Sequence, residues 1–267
     1  MRASATAAIV LRQLYLLRGS PTRLLPMVAW VAIDIVLWGF ITRYLGALAG
    51  PRVNLVASIL GAVLLWDFLG RVMQGVTTAF FEDVWSRNFL NIFATPLTIA
   101  DYLGGLVLTG VGTSLMGLIV MLTLATSVFG LSFFAYGAAI APFLMVLFVT
   151  GISLGVLGAA IVLRLGPASE WLIWPIPSLL SPFAGVFYPL AVLPGWMQAI
   201  GRALPPSYVF ESMRAIVKGH AAPAGSMAFA VGLSLIYLLL ACWVFARVYR
   251  FAIRTGLIAR YSAETAN

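Results

Sequence analysis

Apolar positions along this chain come in long uninterrupted runs, and the longest interval free of Asp, Glu, Lys and Arg extends from Tyr102 to Leu163, 62 residues. A helix crosses the ~30 Å hydrocarbon slab in about 20 residues, so this interval predicts two crossings joined by a turn at Gly130, Ser132, Tyr136 and Gly137. The remaining runs predict spans at 24–42, 53–80, 171–190 and 226–248, beside 103–129 and 138–163 within the charge-free interval. The predicted fold is an all-α polytopic membrane protein, a single transmembrane domain over 1–267 with six transmembrane helices. Residues 1–22 predict an N-terminal interfacial helix, Ser4 to Arg18, closed by Gly19, Ser20 and Pro21, although Arg12 and Arg18 do not share one clean polar face. No small-residue cleavage site follows its apolar stretch, so the segment is expected to stay in the mature protein.

The prolines qualify this picture. Eight of the fourteen fall between Pro167 and Pro206. Each interior proline removes a backbone hydrogen bond, so Pro175, Pro177, Pro182 and Pro189 argue against a straight fifth span. Irregular backbone at membrane depth persists only against protein or a wet cavity. Short re-entrant helices, Gly195 to Ala203 and Ser207 to Lys218, are therefore predicted within an outer-face region at 191–220, between spans five and six. A kinked packing helix followed by a plain loop would carry the same pattern.

Charge orients the bundle. Six spans put both ends on one face. That face collects eleven of the sixteen basic residues, including Arg247, Arg250 and Arg254 in one stripe, while the other face has Arg43, Arg52, Arg202, Arg214 and Lys218. Loops rich in Lys and Arg stay cytoplasmic, which predicts a multi-pass protein of the cytoplasmic (inner) membrane with both termini inside. Composition agrees: 62% hydrophobic and only 9% charged, with mean hydropathy +1.04. The net charge of +8 is placed mostly beside apolar runs, where it suits anionic lipid more than nucleic acid.

The charges inside the spans are few. Asp34 lies about 15 Å along the first span, and Asp67, Arg71 and Gln74 lie in the later half of the second. An unpaired charge at that depth costs several kcal/mol, so an intrahelical Asp67–Arg71 pair, bridged to Asp34, is predicted, with a substrate or proton role as the alternative. Gly151, Gly155 and Ala159 repeat every four residues and predict close helix packing.

Some chemistry is absent. The one lysine, Lys218, follows Val217, so there is no GxxxxGK phosphate loop. A single histidine, His220, and a single cysteine, Cys242, leave no metal cluster, no Cys/His nucleophile pair and no internal disulfide. Any nucleotide chemistry must reside in a partner.

Two blocks carry a resemblance. The first runs from Phe81 through Glu82, Asp83, Val84, Trp85, Ser86, Arg87, Asn88 and Phe89 to Ala94-Thr95-Pro96-Leu97-Thr98; the second joins Phe187-Tyr188-Pro189, Leu193-Pro194-Gly195-Trp196 and Leu204-Pro205-Pro206-Ser207-Tyr208. Together they resemble the coupling segment and the fifth-span region of type-2 exporter class permeases of the ATP-binding-cassette transporters. The resemblance implies a half-transporter and no enzyme in this chain: a homodimer, each copy served by a separate ATPase subunit that binds the ATP and Mg. It implies a cytoplasmic coupling loop at 81–100, with Glu82, Asp83, Trp85, Arg87, Asn88 and Phe89 meeting the ATPase. It further implies an outer gate and pathway lined by Trp171, Trp174, Phe183, Phe187, Tyr188, Pro189, Trp196 and Tyr208, and a lipid-like or otherwise amphipathic substrate. Residue spacing adds an Asp83–Arg87 pair at i, i+4, which a solvated linker helix would also show. The rival reading is an ion-gradient-driven secondary transporter.

Overall fold

Backbone polar groups inside a bilayer must be satisfied within their own segment, and the chain answers with helices. The computed structural model describes residues 2–19, 21–49, 56–86, 91–92, 95–131, 133–221 and 224–257; at 17, 21–28, 31, 49, 56–57, 133–135 and 224 it describes backbone alone. In order, these are α1 (Ala3–Arg18), α2 (Pro21–Ala49), a π-helical turn (Val56–Leu60) running into α3 (Gly61–Trp85), α4 (Ile99–Phe129), a 3-10 segment (Phe133–Ala139) leading into α5 (Ile140–Leu165), and a second 3-10 segment (Pro167–Leu172). There follow α6 (Ile176–Ala184), a 3-10 turn (Leu190–Val192), α7 (Gly195–Ala203), α8 (Pro205–Val217) and α9 (Ala224–Arg254). Among the described residues there is no strand.

Four stretches, Ser58–Trp85, Ile99–Phe129, Tyr136–Leu165 and Gly225–Arg254, are long and apolar enough to cross a bilayer. The chain is a helical membrane protein. Two of the six predicted spans lie outside this set. The first falls on α2, a continuous helix of 29 residues whose early side chains, 21–28, are outside the described residues. The fifth, 171–190, is broken: α6 holds nine residues, about 14 Å of rise against a ~30 Å slab, and the chain leaves it at Gly185 with φ 64°. Prolines without donors and a left-handed glycine stop this helix from lengthening. The predicted short helices of the outer region correspond to α7 and α8.

Two boundaries also move. The second predicted span ends at 80, yet α3 continues to Trp85, because Phe80, Phe81, Asp83 and Val84 are all buried and keep the helical period going. The helical turn that feeds α3 begins at Val56 among the described residues; the predicted start at Val53 lies outside them. The third span starts at Ile99, ahead of the predicted 103. Thr98 is the reason: its hydroxyl accepts from the Asp101 N–H, and the Asp101 carboxylate accepts from the Thr98 N–H, each at 3.2 Å. Gly130, left-handed at φ 66°, closes the far end of α4.

The bundle centres on α3 and α5. A methyl built on Gly151 would lie 2.7 Å from Val72 Cβ and 2.8 Å from the Leu69 carbonyl oxygen, and one on Gly155 would lie 2.7 Å from Val76 Cβ and 2.9 Å from the Met73 carbonyl oxygen. The small-residue ridge therefore packs α5 onto α3 within this chain. A methyl built on Gly75 would lie 3.0 Å from Gly110 Cα of α4. In the most apolar stretch of α5 78% of residues are buried, against 22% in α9, which packs along α5 and turns Leu235, Ile236, Leu239 and Trp243 outward. Those outward residues are where hydrocarbon is the natural solvent.

Candidate functional site

A cavity with charged side chains in a mainly apolar lining opens beside the end of α3. It measures about 970 Å³ and is walled by α1, α2, α3, α4 and α6; Asp34, Asp67, Arg71, Gln74, Glu82 and Trp85 all line it. Asp67 and Arg71 form the predicted pair one turn apart on α3, with Arg71 Nε donating to Asp67 Oδ2 at 2.8 Å and Arg71 Nη2 lying 2.7 Å from the same oxygen. Asp34 reaches the cavity from α2, and the charge of Arg71 acts on it as well as on Asp67. The three charges singled out by sequence thus share one chamber. Trp30 of α2 and Trp174, just before α6, complete its aromatic wall.

Several donors of the wall are turned to the protein's own acceptors. Thr109 donates its hydroxyl to the Gly105 carbonyl at 2.9 Å, and Thr113 donates to the Thr109 and Gly110 carbonyls at 3.2 and 3.1 Å. Gln13 of α1 gives its amide N–H to the Ala79 carbonyl at 3.1 Å. Two of the three indoles turn to one carboxylate: Trp85 Nε1 donates to Glu170 Oε2 at 3.0 Å and Trp174 Nε1 to Glu170 Oε1 at 3.4 Å.

The residues assigned to the coupling segment divide. Glu82 and Trp85 line the cavity, and Trp85 is 51% exposed. Asp83 points the other way. It is fully buried, ion-paired with Arg12 of α1, and accepts the Tyr102 hydroxyl of α4 at 2.9 Å. Its i, i+4 partner expected from spacing, Arg87, lies outside the described residues, as do Asn88 and Phe89. The poor amphipathicity of α1 now has a cause: Arg12 faces inward to meet Asp83. Further brackets hold α1, with Ile9 over Gly105 of α4 and the Arg2 backbone N–H donating to Asp101 Oδ1 at 2.6 Å.

The aromatic residues expected along an outer pathway do not, apart from Trp174, line this cavity. Phe187 stacks on Trp38 of α2 with centroids 5.4 Å apart, and Phe183 meets Trp196 edge-on at 6.2 Å. Tyr188 donates its hydroxyl to the Pro182 carbonyl at 2.9 Å, and Tyr208 donates to the Arg202 carbonyl at 2.8 Å while packing on Phe229. Pro189 caps the 3-10 turn at Leu190, and Trp171 is 80% exposed.

This second cluster is held by two residues of α8: Glu211, to which the sequence pattern assigned no role, and Arg214, which it used only as an outer-face charge. Glu211 Oε1 accepts from the Leu190 N–H at 2.8 Å and from Arg214 Nη2 at 2.9 Å, while Arg214 Nη1 donates to the Gly185 carbonyl at 2.8 Å. Backbone groups freed by the glycine and proline break are satisfied by this pair. An i, i+3 acid and base on an otherwise apolar helix was the available signal. No family model matches the sequence, and no curated protein matches it.

The string Gly151-Ile152-Ser153-Leu154-Gly155 has the letters of a nucleophile elbow, but it lies in mid-helix, with Ser153 buried and donating to the Val149 carbonyl at 2.7 Å. Among the described residues no group of three His, Cys, Asp or Glu side chains is placed to hold a metal.

Proposed function

We propose that this chain is the membrane-spanning permease subunit of an ATP-binding-cassette exporter. Two copies form a pathway for an amphipathic or lipid-like substrate, and separate ATPase subunits, which bind ATP and Mg, dock beneath them at the segment joining α3 to α4. The observation that carries the reading is the bracing of that segment. Asp83 locks its entry to α1 and α4, and the Thr98–Asp101 capping box locks its exit. A force applied between two such fixed ends passes into α3 and α4 in place of being absorbed by a slack loop. Trp85, exposed at the entry and lining the cavity, is the side chain best sited to link docking to the chamber. In this reading both termini face the cytoplasm, α2 and the α6 region act as the first and fifth spans, and α7 and α8 dip into the outer leaflet as part of the gate.

Co-purification tests it. An ATPase subunit in roughly equal proportion, lost on deletion of 86–95, is expected; full transport by this chain alone in ATP-free vesicles rejects the proposal. The double variant Trp85→Ala with Arg87→Ala is expected to keep the helical content while export falls away from ATP turnover. One observation favours the ion-gradient alternative: two carboxylates, Asp34 and Asp67, sit at span depth in a cavity. Substrate uptake that follows an imposed proton gradient without ATP would select it.

A further inference from the structure

We infer that the chamber beside α3 takes an amphipathic organic cation carrying an N–H donor, an aromatic or alkyl body bearing an ammonium or guanidinium head. This deepens the export reading, on which it rests for its meaning as cargo recognition. The argument is one of complementarity. Arg71, the one cationic side chain among the described residues lining the chamber, is engaged by Asp67, so the deep wall of Asp34, Asp67 and Arg71 carries one net negative charge. The hydroxyls of Thr109 and Thr113 have given their protons to backbone carbonyls and can offer only lone pairs. Gln13 has given one amide N–H to Ala79, and its carbonyl is an acceptor. The Trp85 and Trp174 N–H groups are both given to Glu170. The carboxylates of Asp34 and Asp67 outnumber the guanidinium of Arg71, and the lone pairs of Thr109, Thr113 and Gln13 add to them, so an entering cation is favoured over an anion, with indole faces for its body.

The geometry also fits a molecule with two ends. At about 1.5 Å per residue, Asp67 lies about 27 Å along α3 from Trp85, so a charged head near Asp34 leaves an apolar body along a wall that includes Trp30, Met116 and Val120. A cavity of this volume accommodates a drug-sized or lipid-sized body.

Three probes of one shape separate charge from grease: 1-naphthylmethylammonium, the neutral 1-naphthylmethanol and naphthalene-1-carboxylate, measured by equilibrium dialysis against the full chain in nanodiscs. Saturable binding of the ammonium about tenfold tighter than of either other probe is expected, with Asp34→Asn abolishing the difference and Asp34→Glu restoring it. Equal affinity for all three, preference for the carboxylate, an unaltered preference in Asp34→Asn, or no saturable binding overturns the inference. Asp34 is outside the Asp67–Arg71 pair, and Trp30→Leu, a surface change on α2, gives a second reading by weakening the ammonium most. The two proposals fail separately. ATP-driven export without cation preference removes the cation assignment alone, while cation preference in a chain that recruits no ATPase removes the export reading alone.

Discussion

Removing Arg12 is the sharpest perturbation of the brace. Asp83 has no exposed surface, while the Arg12 side chain is 28% exposed. Stripping one partner from a buried pair costs about 3–5 kcal/mol, and solvent reaching Arg12 screens the pair, so we expect Arg12→Met to cost about 2–3 kcal/mol. Tyr102→Phe deletes a fully buried hydroxyl donating to a carboxylate, worth about 1.5–3 kcal/mol. Asp83→Asn keeps shape and an acceptor for Tyr102, so the cycle built from Arg12→Met and Asp83→Asn isolates the charge pair. A coupling energy of about 1–2 kcal/mol is expected from equilibrium unfolding in mixed micelles followed by far-UV circular dichroism. Hydrogen exchange should show α1 losing protection first in Arg12→Met. Additivity of the two substitutions to within about 0.5 kcal/mol, or an α1 as protected as in the parent, would refute the brace.

Three other outcomes follow from the packing. Gly155→Ala should destabilise by about 1–3 kcal/mol, because its methyl strikes the Met73 carbonyl as well as Val76, whereas Gly112→Ala, with open space around it, should stabilise by about 0.5–1 kcal/mol; thermal unfolding in detergent reads the opposite signs. Arg214→Met should release the Gly185 carbonyl and leave Glu211 unpaired, so limited proteolysis is expected to cut between 185 and 193 faster while α3 and α5 stay intact. Thr98→Ala should cost about 1 kcal/mol through the lost cap, read as fraying of the first turn of α4 by exchange.

The long helices were legible because hydrocarbon imposes a simple rule, a run of about 20 apolar residues, that α4, α5 and α9 obey. Asp67 and Arg71 were legible too, since i, i+4 spacing on a helix fixes their proximity. The partners of Asp83 were not. Spacing offered Arg87 as neighbour, whereas Arg12 and Tyr102 arrive from helices distant in sequence, and no local pattern encodes that meeting. The same holds for Glu170, which a sequence reader sees as one acid in a proline-rich turn and the fold uses to hold two indoles. Prolines signalled that the fifth run would bend. That it would stop after nine residues depended on Gly185 taking a left-handed turn and on Arg214 being there to receive the exposed carbonyl.

Asp101 gives one carboxylate to two helices. One of its oxygens takes the first backbone N–H ahead of α1, and the other takes the N–H and hydroxyl of Thr98 at the head of α4. The origins of these helices are therefore a single point in space, although about a hundred residues separate them along the chain. If α4 turns about its axis, α1 swings with it like the hand of a dial, and through Arg12 the end of α3 is carried along.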